Sequence, residues 1–225
     1  MSNGRAKQRN QRPKLVDRLE LRLASGRQID GVWVGVSLDW EPEPVLCRVE
    51  EALRLIKIYD RLRYDRLVRD LERVWVRMVP GALGRFNSSL RACELDRGFV
   101  LAETSLPELI ATAIVHEATH ARLMCCGIGY GEDLRARVER VCFRRELAFA
   151  AKLPNGERIR EQAEQALVGL PHDYWTDAAV SDRSDKDNSA ALRDLGIPDW
   201  VVRTLFALRA VRLGAIRLAR RLTRW

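Results

Sequence analysis

Only three histidines occur in this chain of 225 residues, so any chemistry that needs imidazole must come from His116, His120 or His172. No stretch offers eighteen or so uninterrupted apolar residues, which excludes an obvious membrane-spanning helix. The start, MSNGRAKQRNQRPK, lacks the apolar core of a secretory signal. Cysteine is sparse and odd in number, at positions 47, 93, 125, 126 and 142, which does not suit the disulfide framework of a small secreted domain. Free thiols and a cytoplasmic location are the expectation. Low-complexity tracts and internal repeats are missing as well.

What is present is charge of both signs, 39 Lys plus Arg against 31 Asp plus Glu, leaving a surplus of eight positive charges. The basic residues are mostly interleaved with carboxylates, which describes a solvated surface more simply than a nucleic-acid or anionic-membrane contact, although both remain open as partners. A hydrophobic content of 47% over this length suffices for one core of ordinary size. The expected organisation is a disordered basic tail over residues 1–14, one domain over 15–197, and a C-terminal basic amphipathic helix over 198–225 packed on that domain. That last segment interleaves apolar residues with seven arginines.

Along the chain, Leu19, Leu21 and Leu23 alternate with polar residues before Ser25-Gly26 and the run Val32 to Val36, a pattern that predicts a hairpin. Helical spacing from Leu46 to Leu67 predicts one helix to about residue 71. Alternation at Val74, Val76 and Met78, and a second run from Leu90 to Leu95, predict a small and largely antiparallel sheet. Ser105-Leu106-Pro107-Glu108 reads as a capping box opening a helix that should stop at Gly127-Ile128-Gly129. A further helix is expected from about Asp133 to Lys152. Residues 169–188, polar and rich in turn formers, predict a loop, and a last helix is expected from near Pro198.

Residues 116–120 read His-Glu-Ala-Thr-His. On a helix, histidines four apart lie one turn above each other on one face, so both imidazoles can reach one metal ion. Glu117 lies off that face and can approach a water on the metal without becoming a ligand. At this composition the pattern arises by chance on the order of 0.003 times in such a chain. A catalytic zinc commonly takes three protein ligands and keeps one position for water, so a third donor is required. Glu139 and Glu146, both on the next predicted helix, are the candidates, with Glu139 preferred. Cys142 shares the Glu139 face and could border the site, or simply pack as a small apolar residue.

The eighteen residues between His120 and Glu139 make this arrangement similar to the gluzincin branch of the zincin metallopeptidases. The resemblance covers roughly residues 74–150 and departs at Arg122, where an apolar residue is usual. It implies an α+β, helix-dominated fold with a short antiparallel sheet beside the motif helix. It also implies a Zn2+ ion on His116, His120 and Glu139, and Glu117 as general base and proton shuttle. A peptide or protein substrate would be held by a strand drawn from residues 90–103. An oxyanion partner would be Tyr130, His172 or Tyr174. The competing expectation is a non-catalytic zinc-binding domain that meets a protein or nucleic acid through its basic surface.

Overall fold

The computed structural model describes residues 12–37, 41–169, 172–194, 196–204 and 206. The chain divides after Trp175 into two compact units. The first is α+β, with a five-stranded sheet in the order β1-β2-β3-β5-β4. Its strands are β1 (Ser25–Ile29), β2 (Val32–Val36), β3 (Arg73–Arg77), β4 (Gly84–Asn87) and β5 (Ala92–Asp96).

The sheet is mixed rather than largely antiparallel. β2, β3 and β5 run parallel, and β1 and β4 pair antiparallel at the two ends. The β2–β3 pair is joined by a helical crossover, α2 (Pro42–Tyr59) and α3 (Arg61–Asp70), whereas between the parallel strands β3 and β5 the chain passes through β4. The β1–β2 hairpin turns at Asp30-Gly31, with Ile29 opposite Val32 and positive φ angles of 47° and 94° at the two loop residues. That is the geometry Asp-Gly favours, because it matches the twist of the strands.

Three expected elements come out differently. Residues 15–23 form helix α1 (Leu15–Leu23) instead of a strand. α1 meets the sheet at Arg77, whose guanidinium pairs with Asp17 at 2.9 Å and with Glu20. The expected single helix to residue 71 is interrupted at Asp60, whose carboxylate accepts the Arg63 amide at 3.3 Å and so begins α3. The region after residue 169, expected as a loop, contains a short 3-10 turn (His172–Trp175) and then helix α8 (Asp177–Asp194).

The core lies between the sheet and the helices. Val32, Val34, Val36, Val74, Val76 and Leu95 are fully buried on the sheet, against Val49, Leu53 and Ile56 of α2 and Ile110 and Ile114 of α5 (Pro107–Cys125). Trp75 and Ala92 form a smaller cluster with Leu90, Trp33 and Leu21. There Arg77 stacks over Trp75 at 4.3 Å, and the fully buried Glu94 accepts from Arg85 at 2.5 Å and Asn87 at 2.8 Å. A buried carboxylate so supplied with donors is tolerable in a small sheet.

After the short helix α4 (Arg97–Leu101), α5 opens with Pro107 in its first turn and Leu106 at the cap. Ser105 is not the cap. It is buried, its carbonyl accepts from the Arg48 guanidinium, and Pro107 brings no amide in need of a partner. α5 ends as expected: Gly127 takes φ +79°, its amide reaches the Met124 carbonyl at 2.8 Å, and the Ile128 amide reaches Leu123 at 2.9 Å. The chain then reverses into α6 (Glu132–Ala150), which packs along α5, and α7 (Glu157–Gly169) packs on α6.

In the second unit, no residue of α8 is buried, and residues 199–204 are helical. Arg193 pairs with Asp199 at 2.6 Å. The greater part of the expected C-terminal helix, and residues 1–11 of the expected tail, lie outside the described residues. Among the described residues, no helix is long and apolar enough to cross a membrane.

Candidate metal centre

α5 is anchored by Ile110, Ala111, Ile114, Val115 and Ala118 against the core. Its buried threonines satisfy themselves by donating one turn back, Thr112 to Glu108 and Thr119 to Val115, each at 2.7 Å. With the apolar side fixed in this way, His116 and His120 emerge on the seam with α6, their ring centroids 5.0 Å apart.

Facing them, α6 presents Glu139, Cys142 and Glu146 at i, i+3 and i+7, which share one helical face. Glu139 Oε2 stands 3.2 Å from His116 Nε2, and its Oε1 stands 3.5 Å from His120 Nε2. The same carboxylate accepts a hydrogen bond from the Tyr130 hydroxyl. Glu146, the rival third donor, lies instead against the other ring nitrogen of His116, Nδ1. The ligand atoms of His116, His120 and Cys142 lie within 4.8 Å of one another, and this group could bind a metal ion. Imidazole, carboxylate and thiol together fit a borderline transition metal better than a hard cation, which prefers oxygen alone.

Burial and charge divide the two histidines. Burial would lower His116, but hydrogen bonding to Glu139 and Glu146 and the charge of Glu117 outweigh it and hold the imidazole well above its usual value. His120 is pushed down to about 4, first by burial and then by the neighbouring His116, with Glu139 opposing. Glu139 is held below the usual carboxylate range, because His116, His120 and Tyr130 overcome its burial. Burial pushes the Cys142 thiol well up.

Glu117 points to the other side of α5, toward the sheet. Burial is the main cause of its rise to about 7, with the Glu139 and Glu146 charges adding to it and His116 and the Phe86 amide opposing. The Phe86 N–H belongs to β4, the last strand of the sheet, which approaches closely at Gly84: a Cβ there would lie 3.0 Å from the Glu94 carbonyl and 3.6 Å from Glu117 Cγ.

A cavity of about 410 Å³ opens over these groups. Gly84, Arg85 and Phe86 of β4 form one wall, while Leu123, Met124, Ile128, Tyr130, Val138 and Trp175 form the apolar remainder. Arg135 supports that side by donating to the Trp175 carbonyl at 2.6 Å and lying 5.3 Å from the Tyr130 ring.

The structure thus brings His116, Glu117, His120, Tyr130 and Glu139 to one cavity. Residue 172 begins the 3-10 turn that ends at Trp175, and the side chain of His172 lies outside the described residues. Tyr174 is in the same turn, its ring against Trp175 and not among the cavity-lining groups. The strand beside the cavity is β4, not one drawn from residues 90–103: β5 is paired on both sides, and residues 97–101 are helical. Sequence reasoning missed β4 and the Phe86 amide. The four residues of β4 carry no alternation that could have announced them. No family model, curated protein or solved structure matches this chain.

Proposed function

We propose that this protein is a zinc-dependent hydrolase, and more specifically a peptidase. The observation that carries the reading is the meeting of His116 Nε2, His120 Nε2 and the Glu139 carboxylate at one point of a cavity that Glu117 also lines. Two imidazoles and one carboxylate are a donor set known for catalytic zinc. Zinc bound by them would lower the pKa of a water and polarise a carbonyl.

The remaining work falls to this chain's own side chains. Glu117 takes the proton of the attacking water at its carboxylate and delivers it to the leaving amine. Burial opposes the charged form of this carboxylate and raises its proton affinity in the metal-free site, which suits a group that must both take and return a proton. Glu146, on Nδ1 of His116, fixes the ring so that Nε2 faces the centre. Tyr130 holds the Glu139 carboxylate in place, and a rotation of its phenol would let it donate to the developing oxyanion instead.

The peptidase assignment is supported by β4. Among the described residues its outer edge is unpaired in the sheet, and an extended peptide laid beside it would gain main-chain hydrogen bonds next to Glu117. The apolar side of the cavity, with Leu123, Met124, Ile128 and Val138, suits a hydrophobic side chain of the substrate.

The test is elemental analysis of protein purified without added metal, alongside His116→Ala and Glu139→Ala, followed by digestion of a mixed peptide library. About one zinc per chain, lost in both variants, is expected. Glu117→Gln should keep the zinc and lose hydrolysis. Zinc retained without hydrolysis by the wild type would favour the non-catalytic zinc-binding domain, and no zinc uptake at all would overturn both.

A further inference from the structure

Resting on that metal reading, we propose that Cys142 is a fourth ligand, which closes the centre in its resting state and competes with water for the position hydrolysis requires. The thiol is fully buried, and its sulfur lies within 4.8 Å of ligand atoms of both His116 and His120. It also sits on the same face of α6 as Glu139 and Glu146, one turn from each, so its placement follows from the helix that supplies the third ligand.

The thiol is placed beside two imidazoles, its sulfur close enough to ligand atoms of both to share one ion with them. A thiol among metal donors is itself a donor, and it is a softer one than a carboxylate. On binding, the S–H bond gives its proton to solvent, the metal–water bond at that position would break with release of the water, and one sulfur–metal bond would form, with no change in oxidation state.

The consequence is a difference in kind. Four protein donors describe a closed, structural type of centre, while three donors and water describe a catalytic one. Cys142 places the two states in one site, separated by the departure of a single thiolate. The centre should therefore prefer softer ions, and hydrolysis should be damped while the thiolate is in place.

Cobalt(II) titration reports this directly, because a thiolate ligand adds a near-ultraviolet charge-transfer absorption that imidazole and carboxylate do not. The full chain is used with Cys47, Cys125 and Cys126 replaced by Ser, since those three thiols are exposed. Visible ligand-field bands at one cobalt per chain together with the charge-transfer band are expected, and Cys142→Ala should keep the former and lose the latter. One cobalt bound without the charge-transfer band overturns the proposal and leaves the zinc reading standing. No cobalt uptake overturns both. The spectrum of the chain that lacks those three thiols but keeps Cys142 decides between these outcomes even if the buried substitution does not fold.

Discussion

Nδ1 of His116 faces the carboxylate of Glu146 across the seam between α5 and α6, which leaves Nε2 of the same ring to face Glu139. A carboxylate on the far nitrogen fixes both ring orientation and tautomer. Glu146→Gln should therefore weaken zinc binding about 10- to 100-fold without abolishing it. Competition with a chromophoric chelator measures the change. Complete loss of zinc would instead make Glu146 a ligand.

Zinc uptake should release protons. The carboxylates around His116 raise it well above the usual histidine value, so near neutral pH its ring carries a proton that the metal must displace. Affinity should rise with pH through the His116 proton and, where Cys142 also binds, through its thiol proton. His120, pushed down to about 4, should contribute no such dependence above pH 5. Calorimetry in buffers of different ionisation enthalpy counts the protons, and Glu146→Gln should shift the dependence to lower pH.

In chelator-treated protein, Glu117 should destabilise the fold above neutral pH. Its folded-state value of about 7 exceeds its ordinary 4.5, so between these values the unfolded chain ionises while the folded chain keeps its proton. The contribution of Glu117 to stability is full below about pH 4.5 and is lost as pH rises through 7, by on the order of 3 kcal/mol. Glu117→Gln removes that penalty and can still accept the Phe86 amide. Its melting temperature should exceed that of the wild type at pH 8 and converge with it near pH 4.5. A gap independent of pH would argue against a buried, titrating Glu117.

Asp60 has the opposite sign. Its carboxylate pairs with Lys152 at 2.9 Å, just past the end of α6, and with Arg63 at 3.0 Å in α3. Lys152 and Arg63 overcome its burial and lower its pKa, so its stabilisation is present above the ordinary aspartate value and is lost as pH falls through the folded one. Asp60→Ala should cost about 1 to 3 kcal/mol in a urea melt at pH 7, because it removes the α3 cap and both pairings, with a smaller difference at pH 3.

The motif helix and its partner were legible in the sequence for a physical reason. The apolar run Ile110 to Val115 and the histidine spacing both follow the helical period, and Gly127 marks the stop. Glu139 could be named because an antiparallel helical return brings its position back to the histidines. α1 was misread because Leu19, Leu21 and Leu23 satisfy a period of two, while Leu15, Leu19 and Leu23 equally satisfy a period of four. Neither pattern marks the core: Leu15, Leu19 and Leu23 are all exposed, and α1 makes its contact through Asp17 and Leu21.

Other elements left little trace. α8 buries nothing, so it has no apolar stripe to display. β4 exists through its pairing with β5, a relation between residues 84–87 and 92–95 that no local propensity encodes. The hairpin is a different case. The Asp30-Gly31 dipeptide was in plain view, and weight given to it over Ser25-Gly26 would have placed the turn correctly.

The proposed zinc donors all come from α5 and α6, two consecutive helices joined by the short turn after Cys125. An ion held between them is a clasp on one helical hairpin, closing a loop in which eighteen residues separate His120 from Glu139. Its removal need not disturb the β-sheet. Loss of metal should appear as a local loosening of α6 from α5, faster amide exchange confined to this hairpin, with the strands beneath it still protected.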